Sequence, residues 1–396
     1  MKSKSFVKFN FGLVSLLLTA LLLAACGDSG AGRESFPAPS PNPQAGQILA
    51  DLPGPVAGAI VNFPQDEAPH NDLTEWWYYT GHLNTTDGSK YGFEYVIFQA
   101  NRSNFLTGYV SHFAVTDLNK QSFKYDQKIV GSTQKIVPGS TNGFNLAVGS
   151  WTIQGLGGTD RLKAVMQDNA YGIDLTLQDQ KGPVLHGTGE FSYGAAGFSY
   201  YYSRPLMNVT GQIQVDGQTK TIQDGIAWFD HQWGNFVTLA GGWDWFSLHL
   251  SDNTELMVYY LRDEQNKVLD VFGTYVPSCA TPCETQSNKT VKVVELYRKD
   301  FDITQTDSWT SPVNGGVYPA GWNLKVKAQG MPALDLNLKP AVANQELDTT
   351  RTTGVVYWEG ACTVTGTKDN QPLTGQAYVE LTGYAKSKNT PVKNGG

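Results

Sequence analysis

The sequence predicts an all-β protein with two strand-rich halves, and three observations carry that prediction. Runs rich in aromatic and β-branched residues recur at short intervals, at 74–83, 91–99, 109–117, 200–215, 225–229 and 243–250. Gly, Asn, Asp and Ser clusters punctuate them, and 42 glycines suit many turns better than long helices. No window of a dozen residues carries an apolar stripe of helical period. Many short, evenly spaced strands build barrels or sandwiches. A break at 235–242 divides the halves, giving an N-terminal domain at 56–238 and a C-terminal domain at 239–386, with a disordered tail at 387–396.

The chain opens with Lys2, Lys4 and Lys8 ahead of an apolar run at 11–25. Fifteen helical residues rise about 22 Å, short of the ~30 Å hydrocarbon core. A cleaved signal segment, 1–25, therefore fits better than a permanent span. The run ends Leu23-Ala24-Ala25-Cys26, which resembles the bacterial lipobox. That resemblance implies Cys26 as the first mature residue, lipidated and anchored to a membrane, with the body facing the periplasm or exterior. An ordinary secretory signal with an incidental cysteine is the alternative. Residues 26–55, rich in Gly, Ser, Pro and Ala, read as a flexible tether.

A net charge of −7 and the lack of any basic cluster exclude nucleic acid as a partner. Cys279 and Cys283 have the spacing of a small disulfide loop, and Cys362 reads as a buried thiol. Six widely spread histidines offer no metal-ligand spacing, so neither metal nor cofactor is expected. There is no Gly-rich phosphate loop and no Gly-x-Ser-x-Gly elbow.

Taken along the chain, the first strand places Glu75, Trp77 and Tyr79 on one face and Trp76, Tyr78, Thr80 and His82 on the other. Glu75 among rings demands a hydrogen-bonding partner, as a pocket acid or as a structural carboxylate. An Asp87-Gly88 signal closes the first hairpin. His112 reads as a core histidine, and His186, before Gly187, as a turn residue. In Trp228-Phe229-Asp230-His231-Gln232-Trp233-Gly234, Asp230 and His231 resemble a tuned acid/base beside the ring of Trp233, although strand neighbours point oppositely. Next comes a hairpin around Ser251-Asp252-Asn253-Thr254. With 251 facing 254, Trp243, Trp245, Ser247 and His249 share a face with Leu256, Val258, Tyr260 and Arg262, a face suited to line a ligand cavity. The glutamates of Tyr357-Trp358-Glu359-Gly360 and Tyr378-Val379-Glu380 read as locally bonded structural groups.

His70-Asn71-Asp72 with Glu75-Trp76-Trp77-Tyr78, then Tyr200-Tyr201-Tyr202-Ser203, Asp230-His231-Gln232-Trp233-Gly234, Trp243-Asp244-Trp245 and Tyr357-Trp358-Glu359-Gly360 occur in that order. Together they resemble the lipocalin-like family of AttH-type proteins and carotenoid 1,2-hydratases (hydroxyneurosporene synthases), over about 58–386. The resemblance implies two lipocalin-like antiparallel β-barrels packed together, with an apolar ligand in a barrel or between barrels. It further implies that His231 and Trp233 match the motif serving the active site. The hydratases are expected to offer a tyrosine and an aspartate on the strand at 255–263; here Tyr259 and Tyr260 are followed by Leu261 and Arg262.

The reading that follows is a membrane-anchored lipoprotein binding a hydrophobic, isoprenoid- or polyene-like molecule. Its ligand-binding candidates are Glu75, Trp77, Tyr79, Trp243, Trp245, His249 and Arg262. An enzyme of hydratase or isomerase type would draw on His231, Asp230, Trp233 and Tyr260. A non-catalytic envelope protein, its cavity filled by its own side chains, is the third class.

Overall fold

The computed structural model describes residues 61–385, apart from 102–105, 133–135, 137, 194–196, 237–240, 264 and 280–289. The expected signal segment, Cys26, the whole of the expected tether, the C-terminal tail and Cys283 lie outside the described residues. Cys279 is disulfide-bonded and Cys362 is a buried free thiol.

Two antiparallel sheets account for nearly all of the structure. The first contains β1 (Thr74–Thr85), β2 (Lys90–Ala100), β3 (Thr107–Asp117), β4 (Ser122–Ser132), β5 (Phe144–Val148), β6 (Trp151–Leu156), β7 (Thr159–Val165), β8 (Gly172–Asp179), β9 (Val184–Ser192), β10 (Phe198–Val215) and β11 (Gln218–Gly234). Its order is β4-β3-β2-β1-β11-β10-β8-β7-β6-β5, with β9 also on β10, and β5 returns against β3 and β4 to make a nearly closed barrel. The second contains β12 (Trp243–Leu250), β13 (Glu255–Arg262), β14 (Val268–Val276), β15 (Val294–Tyr297), β16 (Phe301–Thr310), β17 (Val317–Val326), β18 (Leu334–Pro340), β19 (Glu346–Thr349), β20 (Val355–Lys368) and β21 (Gln371–Leu381). Its order is β15-β14-β13-β12-β21-β20-β18-β17-β16, with β19 on β20, a more open half-barrel. The expected all-β pair of lipocalin-like barrels is what forms.

Burial explains which strands are aromatic throughout. In β5, Phe144, Leu146 and Val148 are buried while Asn145 and Ala147 are exposed, the pattern of a strand with one wet face. By contrast β1, β12 and β13 are buried on almost every residue. Each of these strands turns one face into its own barrel and the other onto its neighbour, so both faces must be apolar or internally bonded. Among the described residues four contiguous cores result: one inside each barrel, one between them built from Tyr78, Val96, Tyr201, Trp228, Trp245, Met257, Tyr259 and Leu261, and a smaller one of Ala114, Leu347 and Tyr357.

The β12–β13 hairpin corrects the expected register. Asp244 faces Tyr260, Trp245 faces Tyr259 and His249 faces Glu255, one residue away from the expected pairing. The cause is the turn. Leu250 N–H bonds Thr254 O at 2.9 Å, and Asn253 takes φ 60°, so the loop has three residues and a left-handed closing position. A one-residue shift exchanges the faces of the second strand. Tyr260 and Arg262 therefore join Asp244, Phe246 and Leu248 inside the second barrel, and Met257, Tyr259 and Leu261 join Trp245 between the barrels. His186, expected at a turn, lies within β9; the turn-like feature is Gly187, at φ 61°.

Candidate active site between the barrels

Strand pairing alone assembles two rows of side chains that meet. On the outer face of the first barrel, Tyr78, Asp230 and Ser203 sit directly opposite one another across β1, β11 and β10; Trp76, Gln232 and Tyr201 form the next row. On the second barrel, Glu359, Glu380, Trp245 and Tyr259 form one row across β20, β21, β12 and β13. Between these rows lies a cavity of about 140 Å³, with Phe98, His112, Trp243 and Tyr357 completing its aromatic wall.

Three carboxyl groups face this cavity: Asp230, Glu359 and Glu380. None forms an ion pair, although cations elsewhere in the fold do pair with acids. Asp230 accepts hydrogen bonds from Tyr201 Oη at 2.6 Å, from Trp228 Nε1 at 2.6 Å and from Ser203 Oγ. Burial pushes its carboxyl up to about 7 despite those donors. Glu380 is enclosed by protein yet partly open to the cavity, with the Trp243 side chain as a hydrogen-bond partner; burial pushes it to about 8. Glu359 accepts from Tyr78 Oη at 2.9 and 3.1 Å and is raised well above the ordinary range, first by burial and then by Glu380 and Glu94. Like charges directly opposite on paired strands repel, so Glu359 and Glu380 favour neutral, proton-bearing forms. Behind them, fully buried Glu94 has neither carboxyl oxygen hydrogen-bonded, and burial holds it neutral as well.

Four of the six histidines bridge the barrels. His82 bonds Ala377 O at 3.1 Å, His112 bonds Tyr357 Oη at 2.7 Å and Thr352 Oγ1 at 3.0 Å, His186 bonds Thr274 Oγ1 at 2.8 Å, and His249 bonds Pro205 O at 2.8 Å. Burial lowers all four, so they are neutral. His249, expected to line a ligand cavity, instead packs near Trp228 at this seam.

The other two histidines meet inside the first barrel. His70 Nδ1 and His231 Nε2 each lie 2.8 Å from Glu75 Oε1. Gln99 Nε2 and the His70 backbone N–H donate to Glu75 Oε2 at 2.9 and 2.8 Å. Burial opposes charge on His70, but Glu75 and Asp66 outweigh it and raise the imidazole to about 9. His231 is lowered, chiefly by burial. Trp233 stacks on His70 with ring centroids 4.1 Å apart, and Trp77 stacks on His231 at 4.7 Å.

Of the expected site residues, Asp230, Trp243 and Trp245 come together at the cavity. Glu75, Trp77, Tyr79, His231 and Trp233 sit inside the first barrel, and Tyr260 and Arg262 inside the second. There Arg262 pairs with Asp244 at 2.9 Å, a structural bond rather than a ligand contact. Glu359 and Glu380, read from sequence as locally bonded, are cavity groups instead. Alternation gave their common face; which outer faces meet is a property of the docked barrels. No metal-ligand spacing could show in the sequence here, since Glu75 and His231 are 156 residues apart.

Residues 55–384 match the AttH-like family. Kievitone hydratase of Fusarium solani subsp. phaseoli is 23% identical over 312 residues, covering 77% of this chain and 81% of the relative. Among solved structures, a Nitrosomonas europaea protein described as AttH, at 2.00 Å, superposes with TM-score 0.71 at 28% identity, covering 84% of this chain and all of its own. Kievitone hydratase from Nectria haematococca superposes with TM-score 0.61 at 21% identity, covering 82% and 93%. CghA solved with Sch210972 gives 0.52 at 12% identity, covering 86% and 97%, a likeness of fold.

Proposed function

The chain belongs to the AttH-like family, and from that premise we propose that it is a hydratase, adding water to an electron-rich alkene in the cavity between its barrels. The observation carrying this reading is an aromatic-walled cavity that holds three carboxyl groups and no cation. A carboxylic acid kept neutral by apolar surroundings is a proton source at neutral pH. Glu380, open to the cavity and raised to about 8, is assigned as that acid.

The chemistry closes in three proton movements. Glu380 gives its proton to the less substituted alkene carbon, forming a C–H bond and leaving a carboxylate and a tertiary cation. The faces of Trp76, Trp243, Trp245 and Tyr259 stabilise that cation by about 2 kcal/mol or more each when desolvated. A water molecule bonds to the cationic carbon and loses a proton to Asp230, whose three donors fix its orientation. Return of that proton from Asp230 to Glu380 restores the site.

Size limits the substrate. Whole drug-sized ligands occupy pockets of about 300–1,000 Å³, whereas a cavity of roughly 150 Å³ admits benzene. A cavity of about 140 Å³ therefore accepts only the reacting end of an isoprenoid- or polyene-like molecule. That small volume also favours a second, non-catalytic reading as an envelope protein. The test is incubation of the full-length chain with kievitone and a panel of terminal isoprenoid alkenes, followed by mass spectrometry. Gain of one water by any of them, reduced about 10²–10⁴-fold in Glu380→Gln, supports the hydratase. No hydration and no quenching of tryptophan fluorescence by any compound leaves the non-catalytic reading.

The lipobox-like run supports a further part of the proposal: a Cys26 lipid anchor at the cell envelope. Fractionation tests it, because Cys26→Ser is expected to move the protein out of the membrane fraction.

A further inference from the structure

We propose that His70, Glu75 and His231 form a binding site for a divalent transition-metal ion such as Zn²⁺, on the inner face of the first barrel. The site is separate from the inter-barrel cavity and does not depend on the hydratase reading. One ligand atom from each residue, two imidazole nitrogens and a carboxylate oxygen, lies within 4.8 Å of the others, and all three residues are buried. Two histidines and one glutamate are a recurrent zinc-binding set with room for a further ligand.

What distinguishes the trio from an ordinary buried ion pair is the layer around it. Metal-bound histidines bond outward through the other ring nitrogen, which fixes the ring and its tautomer. Here His70 Nε2 faces Asp66 Oδ1 at 3.4 Å and His231 Nδ1 faces Tyr202 Oη at 3.3 Å. The second oxygen of Glu75 is held by Gln99 and the His70 backbone. Both imidazole nitrogens thus converge on Glu75 Oε1, and the outer edge of each ligand is held by a neighbouring group. Bonds of ~2.0–2.1 Å in a tetrahedron need ligand atoms roughly 3.3 Å apart. Two of the three separations are now 2.8 Å and all lie within 4.8 Å, so the side chains must adjust to admit the ion, with His70 releasing its Nδ1 proton to solvent and His231 shifting its ring proton from Nε2 to Nδ1, toward Tyr202 Oη.

The ligands come from three chain segments: the stretch before β1, β1 itself and β11. An ion would pin these together at a seam whose opposite face carries Trp76, Tyr78, Asp230 and Gln232 into the cavity. Occupancy is therefore expected to stiffen one wall of that cavity.

The full-length chain, stripped with a chelator, would be titrated with Zn²⁺ by competition calorimetry and with Co²⁺ by visible absorption. The expectation is one ion per chain, with affinity at least 100-fold weaker in His70→Ala and in Glu75→Gln, and about 10-fold weaker in Asp66→Asn. No saturable one-to-one binding by the unaltered chain overturns the proposal, as does binding unchanged in His70→Ala. If the variants fail to fold, the Co²⁺ spectrum of the unaltered chain decides. Ligand-field bands of a nitrogen and oxygen site support the trio, and a thiolate charge-transfer band assigns the ion to a cysteine and overturns it.

Discussion

At Glu380 the fold holds a proton that water would remove, and the consequence is a pH profile of definite sign. The proton-bearing form is needed for protonation of the alkene, and the carboxyl is raised from 4.5 to about 8. Asp230 must be ionised to accept the proton of water and its carboxyl sits at about 7, so turnover at low substrate is expected to rise through about pH 7, peak between 7 and 8, and fall toward tenfold per pH unit above 8. A rate that climbs through pH 8 would remove Glu380 from the role of acid. Tyr78 supports a second expectation. Its hydroxyl donates to Glu359 across the barrels, so Tyr78→Phe leaves a buried acceptor short of its donor and costs about 1–3 kcal/mol in urea unfolding. The sequence shows these residues unevenly. Asp230, Trp243 and Trp245 stand out because polar groups among indoles are rare in a short window. Glu359 and Glu380 look like any glutamate on a strand until β20 and β21 pair them directly. Glu75 announces a need for partners but not their identity, because His231 lies on a strand 156 residues away.

Strands were legible where both of their faces are buried, since such stretches are dense in aromatic and aliphatic residues on both faces. β12 and β13 appear with the bounds expected from sequence, whereas the half-wet strands β5 to β8 lack that density and were not singled out. Register was harder, because it turns on a single left-handed residue. Asn253 adopts φ 60°, which costs most side chains roughly 1–2 kcal/mol but glycine almost nothing. Asn253→Val is accordingly expected to lose 1–2 kcal/mol and Asn253→Gly to fold with unchanged register, a comparison that urea titration can read. The same loop receives a tie from the first barrel. Lys181 Nζ bonds Asn253 O at 2.6 Å and Pro277 O at 2.9 Å, and pairs with Glu255 Oε2 at 2.5 Å with both side chains almost fully buried. Lys181→Ala leaves Glu255 buried without its cation, for a loss of about 3–5 kcal/mol. The double change Lys181→Met with Glu255→Leu should recover most of it. If the single and double variants unfold at the same urea concentration, the pair is not what fastens this end of the seam.

Across the whole molecule, apart from the Lys181–Glu255 ion pair, the histidines and the cavity-side glutamates buried at the seam are neutral, which squeezes stability from both ends of the pH scale. His82, His112 and His186 are lowered by burial to about 3 and His249 to about 4, against 6.5 when unfolded. Below about pH 6.5 the unfolded chain takes up protons that the folded chain refuses, so these groups remove stability as pH falls. Glu94, Glu359 and Glu380 act in the opposite direction. Their folded values are raised above 4.5 by burial, so above about pH 4.5 the unfolded chain releases protons that the fold retains, and stability declines as pH rises. Each group contributes a slope of up to about 1.4 kcal/mol per pH unit within its window. The two sets overlap between about pH 4.5 and 6.5, where four rising slopes slightly outweigh three falling ones, so the stability maximum is expected toward the upper end of that window. Urea unfolding at pH 4, 5.5 and 8.5 checks this, with Glu94→Gln expected to flatten the alkaline limb because the amide has no proton to lose. Greatest stability at pH 8.5 would mean that the seam carboxyls ionise inside the folded protein. The barrels would then be held by charge pairing, not by the neutral contacts that strand alternation places between them.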